Sequence, residues 1–448
     1  MQPYIDEITT AGDGLHDHYG ERTPFTMLKA EQNNILIAEK LSDHVKTWSC
    51  INATGGYGAG FWTGSYASLS ETISQALLEC PSATDEYHSL DRLNLISLIK
   101  SLLAHHTDTT PQEWEMTFTS TGTEAMDFVL QQILLEGYSL ASGVHAHQDK
   151  DVLITCRGAW HGWSVASLQL LDRRQFTDGI PKLPNVTNSY IRYGDIDSLK
   201  KAFATYSGRI RAVFVEGLLG DGGVIKASDA WWQELRNLCT KENARLIDDE
   251  ILTGLRTGAF LACPQGIKPD VITLGKALGL GLFPVSLVAW RDKSLSPRPG
   301  VGVRTFNARP LQARIINQAL KSFLAEHQFE QCAAKGLMLL NALKEVVAKY
   351  PQVYREVRGQ GLLLGVELAK PYAKKGRFIR DTLLRLGVLT EVESGQLGTH
   401  IPREERVHET LRMTPPFSIT EQECLAIAEI FEKAGQKILA GENHALYS

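Results

Sequence analysis

Long apolar runs are missing from this 448-residue chain. The most apolar stretch, Ala277 to Trp290, contains Pro284 and falls short of the roughly 20 residues that span a bilayer. Charge of one sign is missing too. Lys plus Arg number 46 against 51 Asp plus Glu, and no block of like charge stands out, which argues against nucleic-acid or membrane-surface binding. The seven cysteines include no C-x-x-C pair and read as buried or free thiols in a reducing compartment. The start, Met1-Gln2-Pro3-Tyr4-Ile5-Asp6, has neither the basic residues nor the apolar core of a signal peptide. A P-loop is absent, and so are repeats and low-complexity tracts. The expectation is a cytoplasmic enzyme acting on small molecules, with no metal site.

What is present is ordinary globular composition, 43% hydrophobic and 22% charged, enough for two domains. The centre alternates short apolar runs with helical patterns, which predicts an α/β layer structure around a mostly parallel sheet. The predicted strands are Glu115–Thr119, Val152–Cys156, Ile210–Val215, Arg245–Asp248, Val271–Leu274 and Val285–Trp290. Met126, Val129, Leu130, Ile133 and Leu134 mark one face of a helix, and Trp231, Trp232, Leu235, Leu238 and Cys239 mark another. Beyond about residue 310 long amphipathic helices (Leu311–Ala325 and Phe329–Lys349) lead to Gly-punctuated strands at Gly359–Leu368 and a last helix after Thr420.

In such sheets ligands bind beyond the carboxyl ends of the strands, and five predicted strands end in residues that suit a site. The first runs into Thr121-Gly122-Thr123-Glu124, where a helix N-terminus with hydroxyls and free N–H groups suits a phosphate. Alone it reads as a plain helix cap. The second ends in Trp160-His161-Gly162, an aromatic able to stack on a planar ring or simply to fill a core. The third delivers Glu216 and the glycine-rich turn Gly217 to Gly223. The fourth brings Asp248-Asp249-Glu250, either an exposed acidic turn or a carboxylate placed against a pyridine nitrogen. The fifth runs into Gly275-Lys276-Ala277, where desolvation would free the lysine amine as a Schiff-base nucleophile. The ordered set is far more specific than any member.

These residues resemble the class III (omega-type) aminotransferases, pyridoxal-phosphate (PLP) enzymes of fold type I, in six blocks from about residue 52 to 435. Ser120 to Ala125 is similar to the family's phosphate-binding "SGTEA" element, and Trp160-His161-Gly162 to its aromatic-His-Gly. Val215-Glu216 through Gly223 is similar to "VEP-x-x-G-E-G-G", with Asp221 in place of the second Glu. Asp249 to Gly254 looks like "DE-V-Q-T-G", and Thr273 to Gly279 is the lysine block. The resemblance implies Asp249 on the pyridine nitrogen, Ile251 against the ring's second face and Lys276 as the covalent anchor. It further implies that Thr305, of a "TF" pair with Phe306, reaches the phosphate of a partner subunit, hence a homodimer with shared sites. Leu411-Arg412-Met413-Thr414-Pro415-Pro416 resembles "LR-x-x-P-P", whose Arg binds a substrate α-carboxylate. In the family the residue at Asp221 neutralises that Arg for substrates without the carboxylate.

There are departures. Leu252 stands where Gln is usual and, with Leu255-Arg256, is similar to glutamate-1-semialdehyde aminomutases. Asn307 to Pro310 replaces "GGNP", and Gly58 to Leu69 lacks the entrance histidines and proline, leaving Trp62 as a substrate-contacting candidate. The implied fold is a large PLP-binding domain over 71–310 with a mostly parallel sheet. A smaller α+β domain would come from the N-terminal segment 1–70, which adds to the substrate entrance, and from 311–448. The implied activity is transfer of an amino group between an amino acid or amine and a 2-oxo acid or other carbonyl. The alternatives are an isomerase (aminomutase or amino-acid racemase), a decarboxylase, or a non-enzymatic module on the same fold.

Overall fold

The architecture is that of a computed structural model that describes residues 23–41, 44–82 and 86–441. The start of the chain, where no leader was expected, and the outer ends of the two flanking segments therefore lie outside the described residues. Three strands come first, β1 (Phe25–Glu31), β2 (Asn34–Lys40) and β3 (Val45–Asn52), in an antiparallel meander. The central strands are β4 (Glu115–Thr119), β5 (Val152–Cys156), β6 (Thr187–Ile191), β7 (Ile210–Glu216), β8 (Arg245–Asp249), β9 (Val271–Leu274) and β10 (Ser286–Trp290). They form one sheet in the order β4-β10-β9-β8-β7-β5-β6, in which β10 alone runs against its neighbours.

Five of these strands are buried almost throughout because helices cover both faces of the sheet, so no alternation with solvent is needed. On one face the helix Gly122–Leu135 sets Phe128 edge-on to Trp290, ring centroids 5.8 Å apart. On the other, the helix Asp229–Lys241 buries Trp231, Trp232, Leu235 and Cys239. The six predicted strands are all present, within one residue at either end. The strand of this sheet that patterning missed is β6, Thr-Asn-Ser-Tyr-Ile, whose side chains are mostly half-buried. An edge strand satisfies only one row of backbone partners and needs no apolar run, so its sequence reads as loop.

The chain then builds a second antiparallel sheet. Its strands are β11 (Tyr354–Gln360), β12 (Leu363–Leu368), β14 (Glu391–Glu393) and β15 (Thr410–Met413), in the order β11-β12-β15-β14. The two-residue β13 (Val388–Leu389) instead pairs in parallel with β3, so chain segments more than 330 positions apart share a sheet. Helices Pro310–Ala325, Gln328–Lys349 and Glu421–Leu439 follow the predicted pattern, the last started by a capping box between Thr420 and Glu423.

Candidate active site

β4, β5, β7, β8 and β9 all point the same way, so the residues that follow them gather along one edge of the sheet. β9, β8, β7 and β5 are immediate neighbours there. Asp249 ends β8 with 4% exposure and faces Thr273 of β9 in register. Its Oδ2 pairs with His161 Nδ1 at 2.8 Å, and its Oδ1 accepts from Thr273 Oγ1 at 3.0 Å and from the Ile251 N–H at 3.2 Å. A carboxylate tied at both oxygens cannot rotate, so its remaining lone pairs are aimed before any ligand arrives. The neighbouring acids are not an exposed turn: Asp248 and Glu250 are fully buried. Glu250 accepts the Ala262 and Cys263 N–H groups, and burial raises it to about 7.

Lys276 follows β9 in a single 3₁₀ turn, Lys276–Gly279, with φ of 42°. A non-glycine residue in this region costs of order 1–3 kcal/mol, and such strain collects at functional sites. Burial, reinforced by the charge of Arg412, lowers the Lys276 amine below the usual lysine range. The loop is pinned from outside by the entrance stretch. Trp62 Nε1 donates to the Ala277 carbonyl at 2.8 Å, and the Tyr66 hydroxyl to that of Leu280 at 2.8 Å. Trp62 is 2% exposed in a cluster with Phe61, Phe323 and Phe417, so its visible contacts are with the lysine loop and the core.

After β4, Thr121 caps the helix Gly122–Leu135, its Oγ1 accepting the Glu124 N–H at 3.2 Å. The return bond goes one residue further back than a capping box requires. Glu124 accepts the Ser120 N–H at 2.7 Å and also pairs with Arg304. A Cβ on Gly122 would lie 2.8 Å from Ile251 Cγ2, and one on Gly275 would lie 2.5 Å from Ser286 Oγ and 3.2 Å from Ile251 Cγ2. Ile251 thus lies against both the cradle glycine and the lysine turn. Thr123 Oγ1 accepts the Trp163 N–H at 3.3 Å. Trp160 is half-buried, packs edge-on against Trp163 and Phe176, and donates its N–H to Glu216 at 3.0 Å. Glu216 also accepts the Gly220 N–H, and burial pushes its carboxyl to about 7. His161 is buried, and its Nε2 has no partner among the described residues. Thr305 and Phe306 are exposed on the surface.

Arg412, 2% exposed, lies on β15 and meets three carboxyl groups. Asp221 Oδ1 is 2.7 Å from Nη1, Glu391 Oε2 is 3.0 Å from Nε and 2.8 Å from Nη2, and Glu393 Oε1 is 2.7 Å from Nη2. The shortened Asp221 therefore still reaches the arginine. Burial pushes it up, but Arg412, Arg173 and Lys276 outweigh that and hold it below the usual range. Burial dominates at Glu393, whose carboxyl rises to about 8, and raises Glu391 as well. Neither glutamate stood out in the sequence. The signal was the alternation Glu391-Val392-Glu393, which puts both acids on one face of a strand, but only pairing with β15 shows what they face. Arg256 is fully buried, donates to the carbonyls of Leu252 and Gly58, and lies 5.1 Å from the Phe61 ring centroid.

Residues 85–434 match the family model Aminotransferase class-III, so the chain belongs to the class III aminotransferases, a family of PLP enzymes. It is 32% identical over 317 residues to the mitochondrial ornithine aminotransferase of Oryza sativa subsp. japonica, covering 70% of this chain and 63% of that protein. It thus spans less than two thirds of that relative's length. It is 27% identical to the putrescine aminotransferase of Pectobacterium atrosepticum, covering 95% of this chain and 83% of the other. Its fold matches the ornithine aminotransferase of Toxoplasma gondii, a structure with partial occupancy of PLP at its active site. The TM-score is 0.80 at 20% identity, over 98% of this chain and 95% of that one. The architecture is the α/β fold type I expected from the sequence.

The residues present fit the PLP of this family. A carboxylate fixed at both oxygens, a lysine with a lowered pKa on a strained turn, and a glycine cradle with no room for a Cβ stand on neighbouring strand ends.

Proposed function

We propose that this protein is a PLP-dependent aminotransferase that moves an amino group from an amine or amino acid to a 2-oxo acid or other carbonyl. The observation that carries the reading is the pairing of Lys276, its amine pKa lowered by burial, with Asp249, held by His161, Thr273 and the Ile251 N–H on the next strand. Bound PLP supplies an aldehyde that condenses with primary amines and a pyridinium ring that accepts the electron pair left when a proton departs the substrate carbon. Lys276 would hold that aldehyde and, once displaced, carry the proton from the substrate carbon. Asp249 would keep the ring nitrogen protonated, with His161 as the positioning residue behind it. The N-terminus of helix Gly122–Leu135, with Thr121, Gly122 and Thr123, would bind the phosphate. Trp160 and Ile251 would hold the ring between them, and Glu216 would fix the Trp160 backbone.

Thr305 would complete a partner's phosphate site in a homodimer, a reading supported by its exposure beside Phe306. Arg412 and Asp221 would face the substrate, and Trp62 would act through the lysine turn. The names of the ornithine and putrescine relatives support a small amine or amino-acid donor. We place the protein in the cytoplasm; no described helix is long and apolar enough to cross a membrane. The division into a large domain, 71–310, and a small one from 1–70 and 311–448 is supported by the pairing of β3 with β13.

Mixing the holoenzyme with amino donors and following the cofactor spectrum tests the activity. The amino form of the cofactor should accumulate and return to the aldehyde form on addition of a 2-oxo acid. Racemised or rearranged product formed with no oxo acid would replace this reading with an isomerase.

A further inference from the structure

A guanidinium keeps its charge when buried, so the interior must supply an anion or carry the charge uncompensated at high cost. Arg412 has three carboxyl groups around it, and Arg256 lies over the Phe61 ring at 5.1 Å. Arg173 has neither kind of partner. It is 1% exposed, and no carboxylate among the described residues pairs with it. Its contacts are neutral: Nη1 donates to the Ser394 hydroxyl at 2.6 Å and Nη2 to the Gly158 carbonyl at 2.6 Å. Its Nε, fully buried, has no acceptor among the described residues. The acid beside it in sequence is already taken, since Asp172 pairs with Arg157 at 2.9 Å and with His400.

Three parts of the site meet at this arginine. Gly158 belongs to the turn after β5 that carries Trp160. That turn packs on the glycine-rich turn after β7, for a Cβ on Gly158 would lie 3.3 Å from Gly222 Cα. Ser394 directly follows Glu393 of β14, whose carboxyl group faces Arg412. The charge of Arg173 is felt on the substrate side as well, where with Arg412 and Lys276 it holds Asp221 below the usual carboxylate range. Residues 394–409, which join β14 to β15, lie across the arginine. The Arg174 N–H donates to the Gly398 carbonyl at 3.2 Å, and the His400 N–H to Asp172 Oδ2 at 3.1 Å. Where this cover meets the guanidinium, the acceptor is only a hydroxyl. A carboxylate in its place would turn a neutral hydrogen bond into a charge-assisted one, roughly twice as strong.

We infer that Arg173 is a substrate-binding residue that takes a carboxylate of the 2-oxo acid acceptor. This rests on the transaminase reading and adds a contact to its second half, in which the 2-oxo acid recharges the cofactor. A carboxylate that reaches Arg412 shares that cation with three acids of the protein. At Arg173 it would meet a guanidinium that no acidic side chain contests, and its own charge would compensate one the fold leaves unpaired.

Holoenzyme loaded with pyridoxamine phosphate tests this on the second half-reaction alone. It is mixed with pyruvate, 2-oxoglutarate or acetaldehyde (pyruvate without its carboxylate), and the return of the cofactor to its aldehyde form is followed. In Arg173→Gln the 2-oxo acids should lose about tenfold or more in kcat/KM, mostly through KM, while acetaldehyde is unchanged. A loss confined to 2-oxoglutarate assigns Arg173 to the distal carboxylate, and a loss with both assigns it to the one beside the reacting carbon. Arg173→Lys keeps the charge without the fork and should recover part of the loss; it carries the comparison if the Gln variant does not fold. Ser394→Ala removes the tie to the cover and spares the cation, so it should leave the preference for 2-oxo acids over acetaldehyde in place. Calorimetry with glutarate, an unreactive dicarboxylate, gives a readout independent of turnover: saturable binding in the wild type, about tenfold weaker in Arg173→Gln. Equal slowing of all three acceptors, a Ser394→Ala variant that behaves like Arg173→Gln, or glutarate binding that is absent or unaltered by the substitution would overturn the inference. If no acceptor recharges the cofactor, the transaminase reading falls, while the glutarate titration still decides whether Arg173 binds a carboxylate.

Discussion

The two halves of the site are built on opposite plans. At the cofactor half each charged group has its own task and partners: Asp249 takes His161, Thr273 and a backbone N–H, and Lys276 stands on a turn pinned through Ala277 and Leu280. At the substrate half one arginine is crowded by three acids from two separate parts of the chain. The first arrangement gives each charge its own partners, and the second sets several carboxyl groups around one cation.

The largest effect should come from Lys276→Ala, which should lose the visible absorbance of covalently held cofactor and slow amino transfer by about 10³-fold or more. Retention of the band after dialysis would break the cofactor half of the comparison. Asp249→Asn keeps one acceptor for Thr273 but removes the charge. Turnover should drop by about 10²-fold, in the range typical of losing one electrostatic stabiliser, while the folded protein persists in circular dichroism.

Arg412→Ala sharpens the other half. It leaves three buried carboxyl groups without their cation and should cost about 3–5 kcal/mol in urea unfolding near neutral pH. The sign with pH is fixed by the raised values of Glu391 and Glu393. A carboxyl whose folded pKa lies above its unfolded value contributes stability at low pH that is lost as pH rises through the folded value. Loss of Arg412 raises both further, so the deficit should be smaller at about pH 5 than at about pH 8.5. A deficit independent of pH would mean that the acids are not the arginine's main partners. Smallest is Thr420→Ala, which removes the cap of helix Glu421–Leu439. It should cost about 1 kcal/mol in thermal unfolding and leave turnover unchanged.

The cofactor half was legible because its strands carry short apolar stretches that break into Thr121, Trp160, Glu216, Asp249 or Lys276 at the same edge. Even so, the partners of Asp249 were out of reach. His161 and Thr273 bond to it across 88 and 24 positions of chain, and nothing local in a sequence records such a distance. Trp62 shows the same limit, since its aromatic character was plain but its burial under the lysine turn was not.

By itself the sequence determined most of the sheet's strands and the order of the residues at their ends, Lys276 among them, because apolar periodicity and the break after it are local properties of a strand. Only the tertiary structure decided what surrounds Arg412. Glu391 and Glu393 belong to a three-residue strand with no apolar signature, and Asp221 reaches the arginine across 191 positions. Which charges share a buried space is a matter of strand register and sheet pairing, and no local pattern carries it.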